Sequence, residues 1–186
     1  MTLHQQAPDN LTLEEVKQHL YIDFDDDNTY LQGLIDLSLS YVQQETGNSI
    51  LETEYVSTPE EVEDNIYVVD YYPTKIDVTL NDDSIVTLLR DELLAYNVID
   101  TTIVQNHQIV FSLSGLFDVG YFDPEDVKQV NAFSGVNVSL LLPVNHARKL
   151  LIGDWYNHRE DSSYFTQNTV QHGVERLLSP IKGIFL

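Results

Sequence analysis

The chain has no cysteine, which removes disulfides, thiolate metal sites and cysteine nucleophiles together. It also lacks any run near the roughly 18 consecutive apolar residues that a membrane-spanning helix needs. Its start, Met1-Thr-Leu-His-Gln-Gln-Ala-Pro8, has no basic segment followed by an apolar one and does not read as a secretory signal. Asn-x-Ser/Thr matches at Asn10 and Asn137 therefore carry little weight. Basic residues are scarce: 9 Lys and Arg face 30 Asp and Glu, a formal charge of −21. Such an acidic surface repels phosphate backbones and argues against sequence-reading or tight nucleic-acid binding. These absences lead to the expectation of a soluble protein made inside a cell, with no membrane partner.

Catalytic and cofactor signatures are missing as well. There is no Gly-x-Ser-x-Gly, no phosphate-cradling glycine loop and no dinucleotide fingerprint, so no cofactor is implied. The six histidines show no zinc spacing; His146 and His158 stand twelve apart, three helical turns from each other. Asp23, Asp25 and Asp27 mimic the first ligands of a calcium loop. Asn28 stands where that loop needs glycine, and Leu34 where it needs a bidentate glutamate, so a helix-capping acid cluster is the better reading. No carboxylate pair is singled out by spacing, and the chain is not expected to be an enzyme.

What is present is a change of period along the chain. The 42% hydrophobic content allows a packed core, and 186 residues suit one domain or a small core with an insertion. Residues 1–10 are polar and read as a flexible arm. Thr12-Leu-Glu-Glu15 is a capping box that predicts a helix over Leu13–Leu20. A second helix is expected over Thr29–Thr46, stopped by Gly47. Its apolar positions, among them Leu31, Leu34, Leu37 and Tyr41, make a stripe wider than a one-sided helix requires, which suits either burial both within a protomer and against a neighbour or a simple internal core.

From Ile50 to Leu142 short β-rich runs take over, separated by turn signals such as Asn81-Asp-Asp-Ser84. Strands are expected over Ile66–Tyr72, Lys75–Leu80, Ile85–Leu89, Tyr96–Asp100, Gln108–Leu113 and Val136–Leu142. Helix then resumes with Pro143 in a first turn, and Val144, Ala147, Leu151 and Trp155 form a stripe. A short last helix is expected over Val174–Leu178, ended by Pro180. The fold class that results is α+β: a small helical bundle from 11–49 and 143–186, with an antiparallel β-subdomain inserted over 50–142.

The charge is uneven. Residues 148–186 hold five bases and four acids, net +1, and residues 1–147 hold four bases and 26 acids, net −22. The near-neutral end also carries Tyr156, Arg159 and Arg176, types that dominate binding hot spots. Trp155 suits the helical core. The apolar tail Ile181-Lys-Gly-Ile184-Phe185-Leu186 suits either a fold-back onto the core or insertion into a partner.

Several blocks in order, Leu11–Leu20, Asp23–Asp27, Leu31–Gly47, Leu150–Glu160 and Gly173–Pro180, resemble the head–tail connector (neck adaptor) proteins of tailed bacteriophages. Tyr21 departs from the pattern, since members commonly carry arginine there. The resemblance implies a non-enzymatic virion protein of the neck, assembled in the host cytoplasm. It implies a closed ring of about twelve subunits beneath the portal, extending the DNA channel and presenting a surface to the tail. Implied partners are the portal protein, a tail-side neck or tail-completion protein, and further copies of the chain; DNA passes without specific binding. In that frame Asp23, Asp25, Asp26 and Asp27 face the channel or surface, and Leu31, Leu34, Leu37 and Tyr41 meet a neighbouring protomer. Tyr156, Arg159, Arg176, Ile181, Ile184, Phe185 and Leu186 meet portal or tail. The alternative from charge alone is a small acidic binding module or inhibitor that mimics nucleic acid.

Overall fold

A computed structural model describes residues 1–58, 66–71, 73–95, 98–105, 108–118, 120–158 and 167–182. The chain forms two compact units, Pro8–Ile50 with Val136–Leu186 and Met1–Ala7 with Leu51–Gly135. The class is α+β, with helices in the first unit and antiparallel sheets in the second.

The helical unit contains α1 (Leu13–Leu20), α2 (Asn28–Thr46), α5 (Val138–Asn157) and α6 (Gln167–Lys182). Both arms of the capping box form at α1: Thr12 Oγ1 accepts from the Glu15 amide at 3.3 Å, and Glu15 Oε2 accepts from the Thr12 amide at 3.0 Å. α2 ends where Gly47 turns left-handed (φ 68°), a conformation that costs glycine nothing. Leu31, Leu34, Ile35, Ser38, Val42 and Thr46 line its buried face at helical spacing.

The wide stripe on α2 is therefore divided. Leu31 and Leu34 pack with Leu11, Val16, Ile35 and Ile152 inside this protomer, so they are core residues and not a surface for a neighbour. Leu37 points outward and is 53% exposed, while Tyr41 is half-buried. A second cluster joins Val42, Ile50, Val144, Ala147, Leu151, Val174, Leu178 and Ile181.

The last two helices differ from expectation. α5 starts before Pro143, capped by Asn137, whose Oδ1 accepts from the Ser139 amide at 3.0 Å. Val136–Leu142 is thus no strand; a short apolar run does not itself separate strand from buried helix, and the cap decides. α6 begins at Gln167 and runs through Pro180 to Lys182. Proline removes the amide that Arg176 O awaits, and the Ser179 hydroxyl donates to that oxygen instead, at 2.9 Å.

Arg148 on α5 is fully buried. Its Nη1 and Nη2 donate to the two Asp9 carboxylate oxygens at 2.8 and 2.5 Å, Nη2 also to Ile35 O at 3.1 Å, and Nε to Ser38 Oγ at 3.1 Å. The Ser38 hydroxyl in turn donates a hydrogen bond to Ile35 O at 2.7 Å. The segment before α1, the middle of α2 and the middle of α5 are thereby tied to one guanidinium.

The β unit holds two sheets. One has the order β1-β2-β8-β4-β5, from Thr2–Gln6, Thr53–Ser57, Val127–Ser134, Lys75–Leu80 and Ile85–Leu89. The other is β3-β7-β6, from Ile66–Val69, Gln108–Ser112 and Ile99–Gln105. Short helices α3 (Arg90–Ala95) and α4 (Ser114–Asp118) complete it. Every strand pair is antiparallel. Ile76, Val78, Leu88, Val130 and Ala132 face one core, where Tyr67 and Phe111 stack at 5.1 Å.

The start of the chain is not the expected loose arm. Thr2–Gln6 pairs with β2, Thr2 opposite Val56 and Gln6 opposite Thr53. All five side chains stay exposed, so the strand is held by backbone bonds that leave no trace in hydrophobic patterning.

Two predictions follow from these interiors. Asp9→Asn leaves the Arg148 charge buried without its counterion and should lower unfolding free energy by about 3 kcal/mol in denaturant titration. Burial raises the Asp9 pKa, but the Arg148 hydrogen bonds and charge with the Leu11 amide outweigh it, leaving the carboxyl below its ordinary 3.8. The pair's stabilisation should be complete above that value and disappear as pH falls through the lower folded value, a loss the Asn variant would not show. Tyr67 is 1% exposed, and its hydroxyl has no partner among the described residues. Burial pushes its pKa to about 12. Tyr67→Phe should therefore leave stability unchanged or raise it, by up to about 1 kcal/mol in the same titration.

Candidate functional site

Among the described residues no group of three or more His, Asp or Glu side chains is placed to hold a metal ion. Asp9, Glu15, Asp25 and Asp82 are displaced downward in titration. Thr12 hydrogen bonds lower Glu15, the Lys17 bond lowers Asp25 and Ser84 lowers Asp82; at Asp9 burial raises the value and Arg148 overturns it. A carboxylic acid working at neutral pH needs the opposite displacement. These groups are structural anchors.

The acids expected to face a channel sit at the α1–α2 corner, and they fall into two kinds. Asp25 accepts from Lys17 Nζ at 2.6 Å and from Asn28 Nδ2 at 3.1 Å; the Lys17 stem is buried beneath its charged end. Asp27 accepts from the Tyr156 hydroxyl at 2.5 Å. Asp23 and Asp26 are exposed. The structure thus joins two groups that the sequence assigned to different surfaces: Tyr156 of α5 is half-buried against the acidic corner, with its ring 6.2 Å from that of Tyr30.

The remaining contact candidates divide. Arg176 is exposed on α6. Ile181 is fully buried in the helical core, and its carbonyl accepts from Asn48 Nδ2 at 3.3 Å, so it does not meet a partner. Its place follows from α6 continuing past Pro180, which carries Ile181 onto the face of Val174 and Leu178. Arg159, Ile184, Phe185 and Leu186 lie outside the described residues. Trp155 packs edge-on against Tyr41, centroids 5.9 Å apart, in the helical interior. Together they line a groove of about 250 Å³ whose rim carries Glu45, Asp154, Glu175 and Lys182.

Three aromatic residues at the acidic corner were not among the expected contact residues, and Tyr21 stood out only as a departure from the family pattern. Tyr21 is 95% exposed, Phe24 46% and Tyr30 40%. Tyr21 is also the left-handed end of α1, at φ 59°, where a bulky side chain is unfavourable and glycine is usual. Tyr21 thus holds an aromatic ring in solvent from a left-handed backbone position. The signal in the sequence was the interleaving of Tyr21, Phe24 and Tyr30 with the acids.

Residues 10–87 match the family model described as phage gp6-like head-tail connector protein. The chain resembles the head–tail connectors. The match takes in α1, α2 and the strands from β2 into β5, and leaves out the blocks Leu150–Glu160 and Gly173–Pro180. Among solved structures the chain is similar to a neck protein of the empty gene transfer agent (GTA) particle, computed with C6 symmetry, at 13% identity and a TM-score of 0.45. That alignment covers 95% of each chain. Chains of the native GTA virion and of the native neck computed with C12 symmetry align at 13% identity with TM-scores of 0.45 and 0.41. They cover 95% of this chain, and 95% and 94% of theirs. No curated protein matches it.

Tyr21→Gly should raise stability by about 1 kcal/mol in thermal or denaturant unfolding, because it relieves the left-handed strain and removes no packing. A loss of stability would place the ring in a contact within the chain.

Proposed function

We propose that the chain is a structural subunit of a phage neck, one that joins capsid to tail by forming a ring at the portal vertex. The family match over residues 10–87 carries this reading. In it the helical unit is the connector core and the β unit is its insertion. The acidic excess gives the ring a lumen that phosphate backbones slide past without being trapped, since like charge forms no counterion-releasing contacts. Asp23 and Asp26, exposed at the α1–α2 corner, are the acids best placed for that duty. Leu37 and Tyr41 remain available to a neighbouring protomer, and about twelve copies related head-to-tail close the ring.

Partners are the portal protein on one side and a tail-side neck or tail-completion protein on the other. The near-neutral end supplies the portal contact through Arg176, Arg159 and the tail Gly183-Ile-Phe-Leu186. No helix among the described residues is long and apolar enough to cross a membrane.

Mixing the purified chain with its portal and imaging by negative stain should show a closed ring beneath the portal; a persistent free monomer overturns the reading. The tail is tested by removing residues 183–186 only, because Ile181 is core and Lys182 Nζ pairs with Glu45 Oε2 at 2.9 Å. The shortened chain should unfold at the same denaturant concentration and bind portal at least tenfold more weakly. Unchanged binding would free the tail of this role.

A further inference from the structure

The five-stranded sheet ends in β1 on one side and β5 on the other. Among the described residues no strand pairs with the outer side of either, although Glu92 Oε2 accepts from the Leu89 amide of β5 at 2.9 Å and the Met1 ammonium before β1 donates to Val68 O at 3.2 Å. Exposed edges are ordinarily defended by charge or proline, because bare backbone amides and carbonyls invite another strand. Here the usual distribution is inverted. Thr2-Leu-His-Gln-Gln6 and Ile85-Val-Thr-Leu-Leu89 contain no Asp, Glu, Lys, Arg or Pro, in a chain with 30 acids. The interior strands carry the charge instead: Glu54 on β2, Lys75 and Asp77 on β4, Lys128 on β8. The edges also display apolar side chains, with Leu3 58%, Ile85 63% and Leu89 57% exposed.

We propose that these two edges are one interface: β5 of one copy pairs with β1 of the next, extending the sheet from subunit to subunit. This rests on the ring-forming connector reading and names a surface that would close the ring. Charge selects the mixed pairing over pairing of like edges. β5 is flanked by Asp82 and Asp83 before it, Asp83 paired with Lys128 Nζ, and by Arg90, Asp91 and Glu92 after it, so that each flank keeps a net negative charge. Two antiparallel β5 edges would set one flank against the other, carboxylate against carboxylate. β1 brings no carboxylate. A β1–β1 contact would close a dimer and leave β5 bare, whereas a β5–β1 contact leaves one of each edge free and repeats until a ring closes.

The absence of native cysteine makes trapping direct. Single cysteines are placed at Leu3 or Gln5 on β1, and at Ile85 or Leu89 on β5, one per full-length variant. Circular dichroism confirms that each is folded. Oxidising β1–β5 mixtures should give, in at least one pairing, several-fold more disulfide dimer than either variant alone, since only adjacent strands bring Cβ atoms within roughly 4.5 Å. Ile85→Asp, tested separately by sedimentation, should weaken self-association at least tenfold. Three outcomes overturn the proposal. Predominant β1–β1 or β5–β5 cross-links replace the mixed contact with a like-edge one. Assembly without any β1–β5 cross-link moves the ring contact elsewhere and leaves the connector reading standing. A chain that stays monomeric and uncross-linked with portal present removes the edge contact and the ring together.

Discussion

A buried guanidinium sets the terms for the helical unit. Arg148 has no contact with solvent, so each of its donors must find an acceptor within the protein or cost several kcal/mol in lost solvation. The two oxygens of Asp9 take one edge of the fork, and Ile35 O and Ser38 Oγ accept from Nη2 and Nε. These acceptors come from two separate stretches of chain, the segment before α1 and the middle of α2. They must arrive together, because either alone leaves a charged group under-satisfied. Apolar packing around Val16, Leu31 and Ile152 drives collapse, and the arginine then selects one alignment of α2 against α5.

That use of a base fits a wider economy. Lys17, Lys75, Lys128, Arg148, Lys149 and Lys182, six of the nine Lys and Arg residues, pair with acids inside the fold. Exposed pairs of this kind contribute little each, and their effect is on charge distribution more than on stability. With most positive charge engaged internally, the excess of 21 negative charges is presented outward. An outward field of that sign keeps copies and polyanions apart except where contacts are built without carboxylates. The strands β1 and β5 themselves carry no carboxylate, and in the C-terminal region five bases offset four acids.

Local chemistry was legible wherever a side chain does its work within its own turn. The Thr12–Glu15 box, the Gly47 stop, and the alternation of Ile76, Val78 and Leu80 against Asp77 and Thr79 all gave the correct elements. Failures came where the determinant lies elsewhere. β1 shows no pattern because only its backbone is used. In β8 the buried positions Val127, Val130 and Ala132 break the period of two, because the register against β4 shifts between Thr79 and Leu80 and inserts an extra residue. Pro143 and Pro180 were read as helix boundaries, yet both lie inside helices. Of the candidate site, the acidic corner was legible as a cluster. The pairing of Asp27 with Tyr156, 129 residues away, was not, because spacing carries no information about contacts made through the tertiary fold.

The course of α6 bears on how the C-terminal tail can act. By passing Pro180 the helix brings Ile181 into the core and fixes its end twice: Asn48 holds the Ile181 carbonyl, and Glu45 holds Lys182. The apolar residues after Lys182 therefore depart from an anchored position. In the portal contact proposed for residues 183–186, a segment that starts from a fixed point loses less freedom on binding than one on a long loose linker, so more of its contact energy would appear as affinity. The same anchoring couples tail to core. A pull on the tail is resisted by Ile181 and its neighbours Val174 and Leu178, all buried apolar side chains. A subunit that must hold two large assemblies together needs that coupling more than it needs a flexible reach.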